Sequence, residues 1–215
     1  MISAGFDYVR AGSIDEAVAA LAEHGDDAKV MAGGQSLIPL LRLRLAYPEV
    51  VVDVGRIAEM AGIREDGQAL VIGAMTTHYD VIRNQLVRQH CGLLAEATET
   101  VADPAVRHRG TFGGALAHAD PAGDLPAVAV ALEAEMVVAG GAGLRTVPAS
   151  EFFLDYLQTA VEPDEVLVEV RVPKLGDGWG FRYEKVQRVA QSWAIVGVLR
   201  QSVGPTGASP RRAWP

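Results

Sequence analysis

Two double-glycine segments, separated by 80 positions, constrain the fold of this chain more than any other feature of its sequence. The first glycine segment, residues 32–37 (AGGQSL), follows the apolar run KVM, which is typical of a strand. The second glycine segment, residues 110–115 (GTFGGA), stands far along the chain. Paired glycines permit tight turns and close approach of backbone to a ligand, and consecutive N–H groups in such a turn bind anions.

The two segments together predict a site for the two phosphates of one dinucleotide. Neither contains G-x-G-x-x-G or G-x-x-x-x-G-K-[ST], so the usual dinucleotide and P-loop patterns are absent. A single Gly-Gly pair is more often an ordinary turn, which leaves that alternative open for each segment taken alone.

Composition and cysteine content limit the class of protein. The chain is 49% hydrophobic with a net charge of −8, which indicates a substantial core and disfavours nucleic acid as a partner. The only cysteine, Cys91, cannot form an internal disulfide or hold an iron–sulfur cluster, and its apolar neighbours predict a buried side chain. No apolar run is long enough to span a membrane, and no secretory signal is evident, so a cytoplasmic location is expected.

Local patterns predict alternating helices and strands. Ser13 and Glu16 fit a capping box before a helix that ends at Gly25. Further helices are predicted over residues 38–45, 79–89, 93–101 and 127–134, with a helical turn at 150–153. Strands are predicted over residues 28–31, 50–54, 69–73, 135–139, 144–147 and 165–172, and further elements begin at residues 180–186 and 192–198.

The motifs AGGQSLIPLLRLRLAYPEVVVDV, IGAMTTH, VADPAVRHRGTFGGALAHADPAGDLPA and VPASEFF occur in this order. Over about residues 4 to 198 this series resembles the FAD-binding medium subunit of the molybdenum hydroxylases, particularly that of aerobic carbon monoxide dehydrogenase. The FAD domain of xanthine dehydrogenase is a more distant member. The resemblance implies FAD as cofactor and an α+β fold: the two-subdomain FAD-binding fold of the PCMH (vanillyl-alcohol oxidase-like) type, followed by the start of a truncated α/β C-terminal domain.

The predicted division of the chain has four parts. Residues 1–55 and 56–175 form two FAD-binding α/β subdomains, and residues 176–198 begin the truncated C-terminal domain. Residues 199–215 have no apolar period and contain three prolines, two glycines and three arginines, which predicts a disordered or aberrant tail. A frameshift or truncated gene product explains this tail, and a native variable tail is the alternative.

The resemblance implies a set of FAD contacts and no catalytic side chain, because the flavin supplies the redox chemistry. The implied contacts are Ala32, Gly33, Gly34, Gln35, Ser36, Leu37, Val101, Thr111, Phe112, Gly113, Gly114, Ala115, Asp124, Leu167 and Lys185. Backbone N–H groups of both glycine segments are expected to hold the diphosphate. Ala115 stands where the family often has Asn or Ser.

Two charged residues carry open alternatives. Asp124 is implied near the ribose or adenine end of FAD, or it caps a helix. Lys185 is implied near the N1–C2 region of the flavin, or it is a solvated strand lysine. His78 and His118 lack metal-ligand spacing, so no metal site is expected.

The resemblance implies an electron-transfer subunit. A large subunit would oxidise the substrate at a molybdenum cofactor, and a small subunit would carry two 2Fe–2S clusters. FAD on this chain would then pass the electrons to an external acceptor. The alternatives are a stand-alone FAD oxidoreductase of the same cofactor fold and a truncated, non-functional flavoprotein fragment. Gly33→Val or Gly114→Val is expected to abolish flavin retention with the fold unchanged, because the new Cβ would meet the phosphates.

Overall fold

A computed structural model of the protein describes residues 3–176 and 178–203. The helices are α1 Ile14–His24, α2 Leu37–Leu43, α3 His78–Arg83, α4 Gln85–His90, α5 Gly92–Glu99, α6 Pro104–Arg107, α7 Phe112–His118, α8 Asp124–Ala131 and α9 Ala149–Phe152. The strands are β1 Asp7–Arg10, β2 Ala28–Met31, β3 Val50–Asp53, β4 Ile63–Asp66, β5 Ala69–Gly73, β6 Glu135–Gly140, β7 Gly143–Pro148, β8 Phe153–Asp155, β9 Gln158–Thr159, β10 Val166–Pro173, β11 Trp179–Val186 and β12 Val196–Val203.

A small parallel sheet contains the first three strands, in the order β1-β3-β2. The central strand β3 is the most apolar, and Val50, Val51 and Val52 are buried. Helix α1 connects β1 to β2 and has the predicted N-cap, because the Ser13 hydroxyl accepts a hydrogen bond from the Glu16 N–H. The Glu16 carboxylate accepts from the Gly12 N–H, one residue before the partner that a capping box would have. The chain leaves β2 directly into the first glycine segment, so this segment lies at the carboxyl end of a parallel strand.

A five-stranded antiparallel sheet, in the order β4-β5-β10-β6-β7, forms the larger part of the fold. Helix α1 contacts strands of both sheets, and one continuous apolar core joins them. Strand β10 pairs with β5 and β6, and its register with β6 shifts between Leu167 and Glu169. A bulge of this kind redirects neighbouring side chains.

The α+β fold is confirmed, and most predicted elements are present within a few residues of their predicted bounds. The predicted helix over residues 79–89 is two helices, because Asn84 is extended and its Oδ1 accepts from the N–H groups of Leu86 and Val87. The predicted helix over residues 38–45 ends at Leu43, because Arg44 has a φ of 57°. The elements that were not predicted are strands β1, β4, β8 and β9 and the short helices α6 and α7.

The C-terminal part of the described chain is a hairpin. Strands β11 and β12 pair with each other along their full length, from Trp179 opposite Val203 to Val186 opposite Val196. The expectation that residues 199–203 belong to a disordered tail is therefore wrong, because these residues continue strand β12. Residues 204–215, the rest of that predicted tail, lie outside the described residues.

The hairpin packs on the helices of the core through one face. Phe181 lies against Gly92 of α5, and Tyr183 is buried. The Gln201 amide donates to the Ala131 carbonyl oxygen at 2.5 Å. Within the described residues, no helix is long and apolar enough to cross a membrane.

Candidate cofactor site

A cavity of about 990 Å³ lies between the two glycine segments. Its volume is at the upper end of the roughly 300–1,000 Å³ typical of small-molecule and cofactor sites. The first glycine segment enters it from the end of β2, and the second enters it from the start of α7. The C-terminal hairpin contributes Lys185 and the loop residues Gln191, Ser192 and Trp193.

The cavity brings together fourteen of the fifteen residues that the sequence implicates in FAD contact. They are Ala32, Gly33, Gly34, Gln35, Ser36, Leu37, Val101, Thr111, Gly113, Gly114, Ala115, Asp124, Leu167 and Lys185. Phe112 does not line the cavity. Its ring is in the core with 1% exposure, and its N–H donates to the Thr76 carbonyl oxygen at 2.9 Å.

The first glycine segment presents unpaired backbone donors to the cavity. The N–H groups of Gly33, Gly34, Gln35 and Ser36 have no hydrogen-bond partner within the part of the chain that the structure describes. Carbonyl oxygens of this segment accept bonds, among them Gly34 from the Ile38 N–H at 3.1 Å. Since Gly34 has a φ of 73°, the chain turns in the left-handed region that favours glycine. A turn with several free N–H groups is an anion site.

In the second glycine segment, the backbone N–H groups of Gly110 and of residues 112–115 are already occupied. The Gly113 N–H donates to the Ala74 carbonyl oxygen at 2.9 Å, and the Ala115 N–H donates to that of Thr111 at 3.0 Å. The Gly114 N–H donates to the Thr111 hydroxyl at 3.1 Å, so this hydroxyl caps α7. This segment therefore forms a wall of the cavity. At Thr111 it also offers one hydroxyl and one backbone N–H that has no partner among the described residues.

The glycines allow the two segments to pack against each other. A Cβ on Gly33 would clash with the Arg109 carbonyl oxygen, at the entry to the second glycine segment. A Cβ on Gly114 would lie 2.6 Å from the Thr111 hydroxyl and 3.6 Å from the Ala32 Cβ. The physical reason given from the sequence, a clash with phosphates alone, is thus incomplete: substitution at Gly33 also disturbs the protein's own backbone.

Asp124 and Lys185 form a buried ion pair at the cavity wall. The Lys185 Nζ and Asp124 Oδ2 are 2.8 Å apart, and each side chain is 4% exposed. The Lys185 ammonium also donates to the Thr100 carbonyl oxygen at 3.1 Å. Lys185 is therefore not the solvated strand lysine that one alternative assumed. Since the two groups touch, they face the same part of the cavity, whereas the resemblance assigned them to different ends of FAD.

Other residues of the cavity were not found from the sequence. Gln191 and Trp193 lie in the loop between β11 and β12, and Trp193 is 57% exposed. A large aromatic ring that is both exposed and next to a cavity indicates a ligand-facing position. The pattern of this loop contained no such signal, because its place over the cavity depends on the pairing of the hairpin.

His78 is buried beside the second glycine segment. Its N–H donates to the Gly110 carbonyl oxygen at 2.9 Å, and its ring lies against Gly110. The ring Nδ1 is buried and has no partner among residues 3–176 and 178–203. Burial, together with the nearby Arg107 charge, lowers the pKa of His78 to about 4, so the imidazole is neutral near pH 7.

Residues 4–175 match the protein family described as the FAD binding domain in molybdopterin dehydrogenase. The chain belongs to this family. The carbon monoxide dehydrogenase medium chain of Hydrogenophaga pseudoflava is 48% identical over 205 residues, which cover 94% of this chain and 71% of the relative. The glyceraldehyde dehydrogenase medium chain of Sulfolobus acidocaldarius is 39% identical over 193 residues, or 90% of this chain and 68% of the relative.

Solved structures show the same fold. Carbon monoxide dehydrogenase from Hydrogenophaga pseudoflava superposes with a TM-score of 0.90 at 49% identity, covering 92% of this chain and 69% of that chain. Reconstituted CO dehydrogenase from Oligotropha carboxidovorans superposes with a TM-score of 0.94 at 39% identity, covering 96% of this chain and 72% of that chain. The chain is thus an FAD-binding oxidoreductase subunit of the molybdenum hydroxylase group, which confirms the family, fold and cofactor predicted from the sequence.

Proposed function

We propose that the cavity holds FAD with its diphosphate on the first glycine segment. The free N–H groups of Gly33, Gly34, Gln35 and Ser36 carry this proposal, because they are the unpaired donors that an anionic diphosphate requires. The Ser36 hydroxyl makes no capping bond within α2 and is available to the same phosphates. These donors fit the cofactor of the family.

The remaining implied contacts define the walls. Val101 and Leu167 add apolar surface, and Leu167 stands next to the register shift in β10 that turns this part of the strand. The Asp124 carboxylate, bound to Lys185, is a hydrogen-bond acceptor for hydroxyl groups of the ligand. The chain binds and orients, and bound flavin supplies the redox chemistry.

We further propose that the chain works as an electron-transfer subunit. FAD would receive electrons from two 2Fe–2S clusters on a small partner subunit and pass them to an external acceptor. Substrate would be oxidised at a molybdenum cofactor on a large partner subunit. The names of the relatives, which are medium chains of carbon monoxide and glyceraldehyde dehydrogenases, support this division. The single cysteine, Cys91, is fully buried and cannot hold a cluster by itself.

The cofactor assignment is tested by titration of the full chain, freed of bound ligand, with FAD, ADP and riboflavin. If the diphosphate is the anchor, FAD binds one per chain and ADP displaces it, while riboflavin competes poorly. Equal competition by riboflavin and none by ADP would place the anchor at the flavin ring and contradict the proposal.

The partner assignment is tested in the native host. An affinity-tagged full chain is expected to copurify with two other chains, one with bound molybdenum and one with the absorption of 2Fe–2S clusters. Isolated chain with FAD is expected to oxidise neither carbon monoxide nor an aldehyde. Substrate oxidation by that isolated flavoprotein would instead support a stand-alone oxidoreductase.

A further inference from the structure

Tyr183 lies behind the buried ion pair and does not itself line the cavity. Its hydroxyl donates to Asp124 Oδ1 at 2.5 Å, while Lys185 holds Oδ2 at 2.8 Å. Each carboxylate oxygen of Asp124 therefore has its own protein donor. Tyr183 and Lys185 are two positions apart on β11, so both point from the same face of the hairpin toward α8.

The Tyr183 hydroxyl has room beside strand β12 because position 197 is a glycine. Gly197 of β12 lies opposite Lys185, and a Cβ at Gly197 would be 2.8 Å from the Tyr183 hydroxyl oxygen. The Tyr183 N–H donates to Glu96 Oε1 of α5 at 2.8 Å, which fixes the backbone. Tyr183 is 5% exposed, and burial, with the bond to Asp124, raises the pKa of its hydroxyl, which stays protonated as a donor.

We infer that Tyr183 is a positioning residue of the FAD site, which acts through Asp124. This inference rests on the proposed FAD site. Two donors, one on each oxygen, fix the plane of the Asp124 carboxylate and so direct its remaining lone pairs at the cavity. Without the Tyr183 hydroxyl, only Lys185 would hold the Asp124 carboxylate. The carboxylate could then rotate about the Cβ–Cγ bond, and its lone pairs would no longer be directed at the ligand.

The test measures FAD dissociation constants of the full chain and three variants. Tyr183→Phe is expected to weaken FAD binding about tenfold, the effect of one hydrogen bond to a charged group. Gly197→Ala, which crowds the hydroxyl without removing it, is expected to weaken binding by a smaller factor. Tyr156→Phe, at a position that is 72% exposed and does not line the cavity, is the matched control and should bind as the parent does.

A double-mutant cycle separates positioning from general stability. If Tyr183 acts through Asp124, Tyr183→Phe has little further effect on FAD binding in an Asp124→Asn background. Likewise, Gly197→Ala has little further effect once Tyr183 is Phe, because the crowded hydroxyl is gone. Additive effects in these cycles would show that Tyr183 acts only through general stability and would overturn the inference.

The failure of the inference is distinguishable from failure of the FAD site. Parent protein without FAD binding would contradict the proposed function itself. Normal FAD binding by the parent and by both Tyr183→Phe and Gly197→Ala would contradict only the role of Tyr183. Should Tyr183→Phe fold poorly by circular dichroism, the milder Gly197→Ala, with its own dissociation constant, decides the question.

Discussion

The two glycine segments are alike in sequence, but they have different roles in the structure. The first is half-exposed, and its N–H groups from Gly33 to Ser36 have no partner in the described part of the chain. The second is mostly buried, and its N–H groups from Phe112 to Ala115 all have protein partners. One segment presents donors to a ligand, and the other frames the cavity. A shared Gly-Gly motif therefore predicts close packing of backbone but does not predict which segment holds the anion.

The difference follows from the neighbours of each segment. The second begins α7 with a capping threonine and inserts Phe112 into the core, so residues 110–112 pair with residues 76–78. In the first segment, the glycines are followed by Gln35 and Ser36, which are polar and line the cavity with them. Buried N–H groups must be paired, but N–H groups beside a cavity can be reserved for a ligand.

The largest expected effect comes from Gly33, where the two segments meet. Gly33→Ala forces the first segment away from the Arg109 carbonyl oxygen, because the new Cβ clashes with backbone that cannot rotate aside. Loss of about 3 kcal/mol of unfolding free energy is expected, the upper part of the range for overpacking, and FAD binding should fall with it. Chemical denaturation measures the first quantity and flavin titration the second.

Gly141→Ala is the matched control, because nothing lies within 4 Å of a Cβ at that position. It should leave both stability and FAD binding nearly unchanged. If Gly33→Ala instead loses FAD with unchanged stability, the phosphate clash expected from the sequence is sufficient and the contact between the segments is not critical.

A smaller effect on stability, which depends on pH, is expected from His78, whose ring lies against the second segment. Its folded-state pKa of about 4 is below the ordinary 6.5, so the unfolded chain takes up the proton first. The contribution of the neutral His78 imidazole to the free energy of unfolding is complete above pH 6.5 and is lost as the pH falls toward 4. The slope approaches about 1.4 kcal/mol per pH unit in this window.

His78→Gln removes this titration, so the difference in unfolding free energy between parent and variant should shrink as the pH is lowered. Parallel stability curves for parent and His78→Gln between pH 6.5 and 4 would show that the neutral imidazole does not support the second segment.

Much of the fold was predictable, because buried strands and capped helices leave local signals. Strand β5 is buried from Leu70 to Gly73 and stood out as an apolar run. Strand β4 was missed because its sequence, IRED, is mostly charged and exposed at the edge of the sheet. The hairpin of β11 and β12 was predicted only as two separate elements followed by a tail, because the pairing of two strands across nine intervening residues has no local sequence signal.

The site was predictable as a set of residues but not as a set of contacts. Both glycine segments carried the family motif, and all but Phe112 of the implicated residues reach the cavity. The prediction for Phe112 was wrong because the motif does not show which way a side chain points at the start of a helix. The contact between Asp124 and Lys185 was invisible because it joins α8 to a hairpin 61 residues further on.

The smallest effects on stability and FAD binding are expected when one hydroxyl is removed from each segment. These two variants also distinguish the roles of the two segments most clearly. Thr111→Val removes the hydroxyl that caps α7 and should cost about 1 kcal/mol of unfolding free energy, as the loss of a capping side chain does. Ser36→Ala removes a hydroxyl that caps nothing, so stability should hold while FAD binding weakens severalfold. Ser150→Ala, at an exposed site away from the cavity, should change neither quantity. The reverse outcome, with Ser36→Ala lowering stability and Thr111→Val lowering only FAD affinity, would exchange the roles assigned to the segments.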